Sequence, residues 1–296
     1  MADYVLTCES VADLTEEHFA SREIYPVAFH YAVDGVEYRD DFGKTMSYEE
    51  FYRKIDSGSD TRTAQVNISE YQEHWEPFLK AGKDVVHVAF SSGLSGTINS
   101  ARNAAAICGD DYPERRIYVV DSLAASSGFG LLLDYAADMR DSGLTAEQLA
   151  DWVEKNRLKL HHWFFSTDLS TYVKGGRISK TAAVFGGILQ ICPLLDMNNE
   201  GKLTPRDKIR TPKRVIREIV NRMKLHADGG ADYSGKCYIS YSLHAEDYAR
   251  QVADLVEAEF PKLNGKVQLY WVGTTIGSHT GPGTVALYFM GDERIA

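Results

Sequence analysis

Short apolar runs and amphipathic stretches alternate along the chain. "YVLT" (4–7), "DVVHVAF" (84–90) and "RIYVVD" (116–121) are nearly continuous apolar segments of strand length. That is the pattern of strands buried on both faces of a parallel sheet. Between them, "ESVADLTEEHFAS" predicts a helix starting near Ser10, with acidic residues in its first turn. "SYEEFYRKID" (47–56) and "SEYQEHWEPFLKAG" (69–82) predict helices capped by Ser47 and Ser69, the second stopped at Gly82. "YPVAFHYAVDGVEYRDD" (25–41) predicts two strands around the turn signal Asp34-Gly35. Further helices follow from about Ile98, through "GFGLLLDYAADMRDSG", and through "TAEQLADWVEKNRLK". Strands and helices in this alternation imply βαβ units.

The second half changes style. "HWFFST" (162–167) reads as a strand, and "ISKTAAVFGGIL" (178–189) as an apolar helix capped by Ser179. "CPLLDMNNEGKLTP" (192–205) reads as a hairpin around Asn-Asn-Glu-Gly. In "PKRVIREIVNRMK" (212–224), Val215, Ile216, Ile219, Val220 and Met223 form one stripe of an amphipathic helix. "KCYISYSL", "AEDYARQVADLVEAEF", "KVQLYWVG" and "TVALYFMG" complete an α+β pattern. The expected fold is α/β with two domains. Residues 1–158 form a mostly parallel sheet flanked by helices, and residues 159–296 form an α+β domain with a mixed or antiparallel sheet.

Composition narrows the function classes. The 296 residues carry a formal net charge of −10, which argues against general nucleic-acid binding. Cys8, Cys108, Cys192 and Cys237 are scattered, with no C-x-x-C pair and no metal-ligand spacing, and read as reduced core thiols. The first residues lack a basic and apolar leader pattern, and the longest apolar run, "AAVFGGILQICPLL" (182–195), is too short to span a bilayer. The expectation is a soluble cytoplasmic protein.

The chemistry concentrates in loops. "SSGLSGT" (91–97) joins an apolar strand to a helix. Its amides, the helix dipole and the hydroxyls of Ser95 and Thr97 suit an anion, while Gly93 and Gly96 would let a ligand approach the backbone. "DSLAASSG" (121–128), containing Ser126, and "TCESVADL" (7–14) occupy equivalent places after the neighbouring strands. Three such loops would converge at the carboxyl edge of one sheet. Serine and threonine are also ordinary helix caps, so any one loop alone carries little weight. No lysine follows the glycines, which excludes a nucleotide P-loop, and no cofactor motif is present. "GLSGT" nearly matches a nucleophile elbow, which keeps open a serine hydrolase or acyltransferase using Ser95 and His279, with Asp121 to orient the base. A flavodoxin-like receptor for another small anion is also open. His279 centres "TTIGSHTGPGTVALYF" (274–289), a glycine-rich loop between two strand patterns, and Arg177 in "KGGRISK" (174–180) offers a guanidinium fork.

Taken together, "ESVADL" (9–14), "TRTAQ" (61–65), "SSGLSGT", "DSLAASSG", "GGRIS" (175–179) and "GSHTGPG" (277–283) resemble the DegV family over essentially the whole chain. The resemblance implies a long-chain fatty acid held between two α/β domains, in a non-catalytic protein that presents it to a separate ATP-dependent fatty acid kinase. It implies that Thr63 and Ser95 hold the carboxylate, with Arg177 and His279 as the family's Arg and His; with the loop residues Gly96, Thr97 and Ser126 these make up the expected ligand-binding set. Ala64 and Val11 replace the usual Ser and Thr of two signatures. On this reading Gly186 and Gly187 leave room for the acyl chain in an apolar wall. Residues 201–224 hold nine Lys and Arg against two acidic residues, a basic face suited to an anionic partner or a transient membrane contact.

Overall fold

The computed structural model describes residues 3–178 and 191–296. The predicted helix at 178–189, its Ser179 cap and the glycine pair 186–187 lie outside the described residues.

The first half runs β1 (Tyr4–Glu9), α1 (Glu16–Ser21), β2 (Ile24–Val27), β3 (His30–Val33), β4 (Val36–Arg39), α2 (Tyr48–Asp56), β5 (Thr61–Ala64), α3 (Ile68–Lys80), β6 (Asp84–Ala89), α4 (Thr97–Asp111), β7 (Ile117–Asp121), α5 (Ser126–Asp141) and α6 (Ala146–Asn156). The second half runs β8 (Leu160–Ser166), α7 (Ser170–Lys174), β9 (Ile191–Met197), β10 (Leu203–Arg210), α8 (Pro212–His226), β11 (Tyr238–Tyr241), α9 (Glu246–Glu259), β12 (Gln268–Trp271), α10 (Thr274–Thr280) and β13 (Thr284–Met290).

Strands β2-β1-β6-β7 form a wholly parallel sheet, and β10-β9-β8-β13-β11-β12 form a mixed one. A small antiparallel sheet, β4-β3-β5, stands beside them. The central strands of the parallel sheet are apolar because helices cover both faces. Val85, Val86, Val88, Leu6 and Cys8 are almost wholly buried. The four cysteines are free and buried, as expected. Among the described residues no helix is long and apolar enough to cross a membrane.

Local predictions failed where a tertiary partner claimed a polar side chain. Ser10 starts only a 3-10 turn, because its hydroxyl donates to Asp40 and accepts from Phe29 N–H, and Asp13 then turns left-handed at φ 48°. The helix begins instead at Glu16, capped by Thr15. The cap of α3 is Asn67 rather than Ser69, in a capping box with Glu70. The residues around His279 form helix α10 rather than a hairpin loop, since β12 and β13 are separated in the sheet by β11.

Candidate functional site

A cavity of about 400 Å³ lies among residues from both halves, within the range of small-molecule sites. One wall is the face of the mixed sheet carrying Thr284, Ala286 and Tyr288 of β13 beside Phe164 and His162 of β8. Thr284 to Tyr288 spans four strand steps, so this wall runs roughly 13 Å along β13. Phe29, Phe90, Met197 and Leu203 supply apolar lining. Thr63, Ser95, Arg177 and His279 stand at its half-exposed end, with Gly96 at the surface, while Ser126, His162 and Tyr288 are buried.

The half-exposed end is built by β5, α10 and two loops. Thr63 lies on β5, paired with Tyr31, and its neighbour Thr61 donates to the Ser278 carbonyl. His279 sits on the last turn of α10. The start of that helix is pinned by Asp40, which accepts from Thr274 and Thr275 at 3.0 and 2.8 Å. Gly277 lets α10 pack on Phe51 and Tyr52, and Gly175 lets the next loop close over His279; a methyl at either position would collide with those side chains. His279 Nε2 lies 2.8 Å from Thr63 Oγ1. Burial, and then the nearby Arg177 charge, push the His279 pKa down to about 4, so the imidazole is neutral at pH 7.

Arg177 donates to the carbonyls of Gly175 at 2.6 Å and Leu94 at 3.5 Å. Among the described residues it forms no ion pair. Partial burial lowers its pKa, but a guanidinium stays protonated.

The Ser-Gly loop is less open than its sequence suggests. Leu94 and Ser95 N–H both donate to the Ser91 carbonyl, and Thr97 N–H donates to Ser95 Oγ at 3.2 Å. Gly96 N–H has no partner among the described residues. Gly93 serves the protein's own packing: a Cβ there would run into the Glu200 and Gly201 carbonyls of the β9–β10 turn, to which Ser91 also donates. Thr97 does not line the cavity. It is fully buried, and its hydroxyl lies 2.9 Å from Tyr71 Oη.

The two neighbouring loops are filled by protein groups. Glu9 is completely buried; it accepts from Tyr71 Oη at 2.6 Å and Phe90 N–H at 2.9 Å, with His87 Nε2 at 3.2 Å. Ser126 lines the cavity but gives its hydroxyl to Asp13, and Ala125 N–H donates to His162 Nε2 at 3.3 Å. The expected three-loop convergence thus leaves one loop with open donors, because Glu9, Asp13 and His162 occupy the others. His162 and Gln65, which also line the cavity, were not singled out as site residues. His162 could have been flagged only by its place on an inward strand face.

A serine-protease-like arrangement is not assembled. The bonded neighbour of His279 is Thr63 rather than Ser95, and Asp121 accepts from Ser92 and Leu123 N–H. On the basic face, Arg222 pairs with Asp207 and Glu218, and Lys224 with Glu259, while Arg210, Lys213, Arg214 and Arg217 are exposed.

The model of the DegV family of uncharacterised proteins matches residues 5–292. A DegV domain-containing protein of Clostridium perfringens is 33% identical over 294 residues, covering 99% of each chain. A fatty-acid-binding DegV family protein from Thermus thermophilus superposes with a TM-score of 0.86 at 25% identity, over 98% of this chain and 99% of that one. The fatty acid kinase (Fak) B3 protein of Streptococcus pneumoniae, loaded with linoleic acid, shares the fold, with a TM-score of 0.83 at 20% identity over 99% of this chain and 100% of that one.

Proposed function

The chain belongs to the DegV family, and from that premise we propose that it holds a long-chain fatty acid whose carboxylate sits among Thr63, Ser95, Gly96, Arg177 and His279. The observation that carries the reading is Arg177. Among the described residues this half-buried guanidinium bonds only to carbonyls and pairs with no carboxylate, and it lines the same cavity as a neutral imidazole, the Thr63 and Ser95 hydroxyls and Gly96. An anion completes that set, and a fork of this kind suits a carboxylate.

The proton inventory agrees. When His279 Nε2–H donates to Thr63 Oγ1, the Thr63 hydroxyl proton is free for the ligand. Ser95 Oγ already accepts from Thr97 N–H, so its own proton points elsewhere and is available to the same oxygen pair. The acyl chain then lies along the apolar wall between Phe164 and Ala286, each buried methylene contributing about 0.8 kcal/mol. Ser126 borders the chain further in. The cavity's lining from both halves supports two domains, joined near residue 158, with the acid between them.

With its carboxyl group at the half-exposed end, the bound acid is placed for presentation to a separate ATP-dependent fatty acid kinase, the protein itself being non-catalytic. The bonding of His279 to Thr63 gives the hydrolase reading no support. The test is extraction of lipid from purified protein followed by mass spectrometry, in wild type and Ser95→Ala. Wild type should yield long-chain acids near one per chain, and the variant about tenfold less after equal washing, as expected for losing a hydrogen bond to a charged group. Equal retention would remove Ser95 from the site. A co-purifying ligand without an acyl chain would overturn the whole reading.

A further inference from the structure

Three metal-binding side chains meet on the sheet face opposite the cavity. Strand β8 alternates: His162 and Phe164 line the cavity, whereas His161 and Trp163 face the other way, toward α8. His161 Nε2 lies 2.9 Å from Asp292 Oδ1. His226 Nδ1 lies 3.2 Å from that same oxygen and 3.3 Å from Oδ2. All three ligand atoms fall within 4.8 Å of one another. The Asp292 carbonyl adds a further oxygen, 2.9 Å from His161 Nε2.

The main chain holds this cluster together. Asp292 N–H donates to the His226 carbonyl at 3.0 Å, Asp228 N–H to the Met290 carbonyl at 3.2 Å, and Gly291 N–H to the Lys159 carbonyl at 2.7 Å. Ala227 and Gly291 form an isolated bridge, and any side chain at 291 would strike the His226 carbonyl. Residues far apart in sequence are therefore brought together by backbone bonds that do not depend on the three side chains. The rings are oriented as well. His161 lies parallel to Phe289, at 5.1 Å and 3°, with His226 at 5.0 Å, and His226 in turn stacks on Trp163 at 5.7 Å.

We propose that His161, His226 and Asp292 form a binding site for a divalent transition-metal ion, with zinc the best match to two imidazoles and a carboxylate. Zinc bonds to nitrogen and oxygen of about 2.0–2.2 Å place neighbouring ligand atoms of a tetrahedral ion roughly 3.3 Å apart. The nitrogen-to-carboxylate spacings of 2.9, 3.2 and 3.3 Å are already close to that. The His226 side chain, 30% exposed, supplies the ring adjustment that brings its nitrogen onto the ion. Magnesium and calcium, which favour all-oxygen shells, do not suit this donor set. A bound ion would tie the chain's last residues to β8 and to the end of α8.

The test uses the full-length protein, stripped with a chelator and titrated with zinc chloride in a calorimeter. One equivalent should bind, and a hundredfold excess over Kd should raise Tm by about 5 °C, with no effect of magnesium. His226→Ala and Asp292→Asn should each weaken zinc binding at least tenfold, with the circular dichroism spectrum and fatty acid content unchanged. Nickel or copper should quench Trp163 fluorescence through the stacked His226, and that quenching should vanish in His226→Ala. Zinc affinity equal in wild type and both variants, or no stoichiometric zinc on wild type, would overturn the assignment.

Discussion

Two sets of hydrogen-bonding groups stand near the strand ends of the parallel sheet, one closed around a carboxyl group of the chain and one open. At Glu9, a hydroxyl from Tyr71, the imidazole of His87 and the N–H of Phe90 surround a buried carboxyl group that the chain itself supplies. At the half-exposed end of the cavity, the hydroxyls of Thr63 and Ser95, the imidazole of His279 and the N–H of Gly96 present the same donor types, with Arg177 added and, among the described residues, no carboxyl group. The closed set packs the strand edge against α3 and α4. The open set lies at the half-exposed end of a largely apolar cavity. Donor chemistry alone does not make a ligand site; what matters is whether the protein fills it. The two are also linked, since Tyr71 Oη bridges Glu9 to Thr97, the first residue of α4 after the Ser-Gly loop.

Glu9→Leu should have the largest effect. It would leave Tyr71, His87 and Phe90 N–H without their buried acceptor, which should cost about 3–5 kcal/mol and show as a large fall in the denaturation midpoint. A variant as stable as wild type would mean that the Glu9 set is not a structural anchor. Arg177→Met asks the converse at the open site. Ligand-free stability should hold or rise, because among the described residues the charge has no carboxylate partner to lose, while fatty acid affinity measured by titration should fall roughly thirtyfold or more. Lost stability with unchanged affinity would reverse the roles of the two sites. The smallest effect concerns pH. His279 titrates near 4 in the folded protein and near 6.5 when unfolded, so the unfolded chain takes up its proton first as pH falls. The stability this histidine contributes is present above about pH 6.5 and is lost as pH drops toward 4. Melting curves of wild type and His279→Gln should therefore shift relative to each other in the variant's favour across that window, by up to about 3 kcal/mol. A constant gap between the two curves would show that the imidazole is not held neutral.

Much of the fold was legible because its elements are strongly patterned. The apolar run at 84–90 and the five-residue stripe of α8 each have a single reading, and both elements formed where the pattern put them. The site was legible in part. Thr63, Ser95, Gly96, Ser126, Arg177 and His279, to which the loops and the family resemblance point, all border one cavity, whereas Thr97 does not. What could not be read was occupancy. Nothing local in "SSGLSGT" says that Gly93 faces a hairpin more than a hundred residues away, or that Thr97 turns to Tyr71. Likewise, residues 161, 226 and 292 have no ligand spacing in sequence and meet only through β8, the end of α8 and the segment after β13.

Sequence alone determined the strand and helix periods, the loops rich in small and hydroxyl residues, and the charge balance. These follow from the local steric preferences and solvation of each residue. Tertiary structure decided which polar groups are spent inside the protein and which remain for a ligand. A hydrogen bond saturates its donor, and whether a partner lies within 3 Å depends on chain segments brought together only by folding.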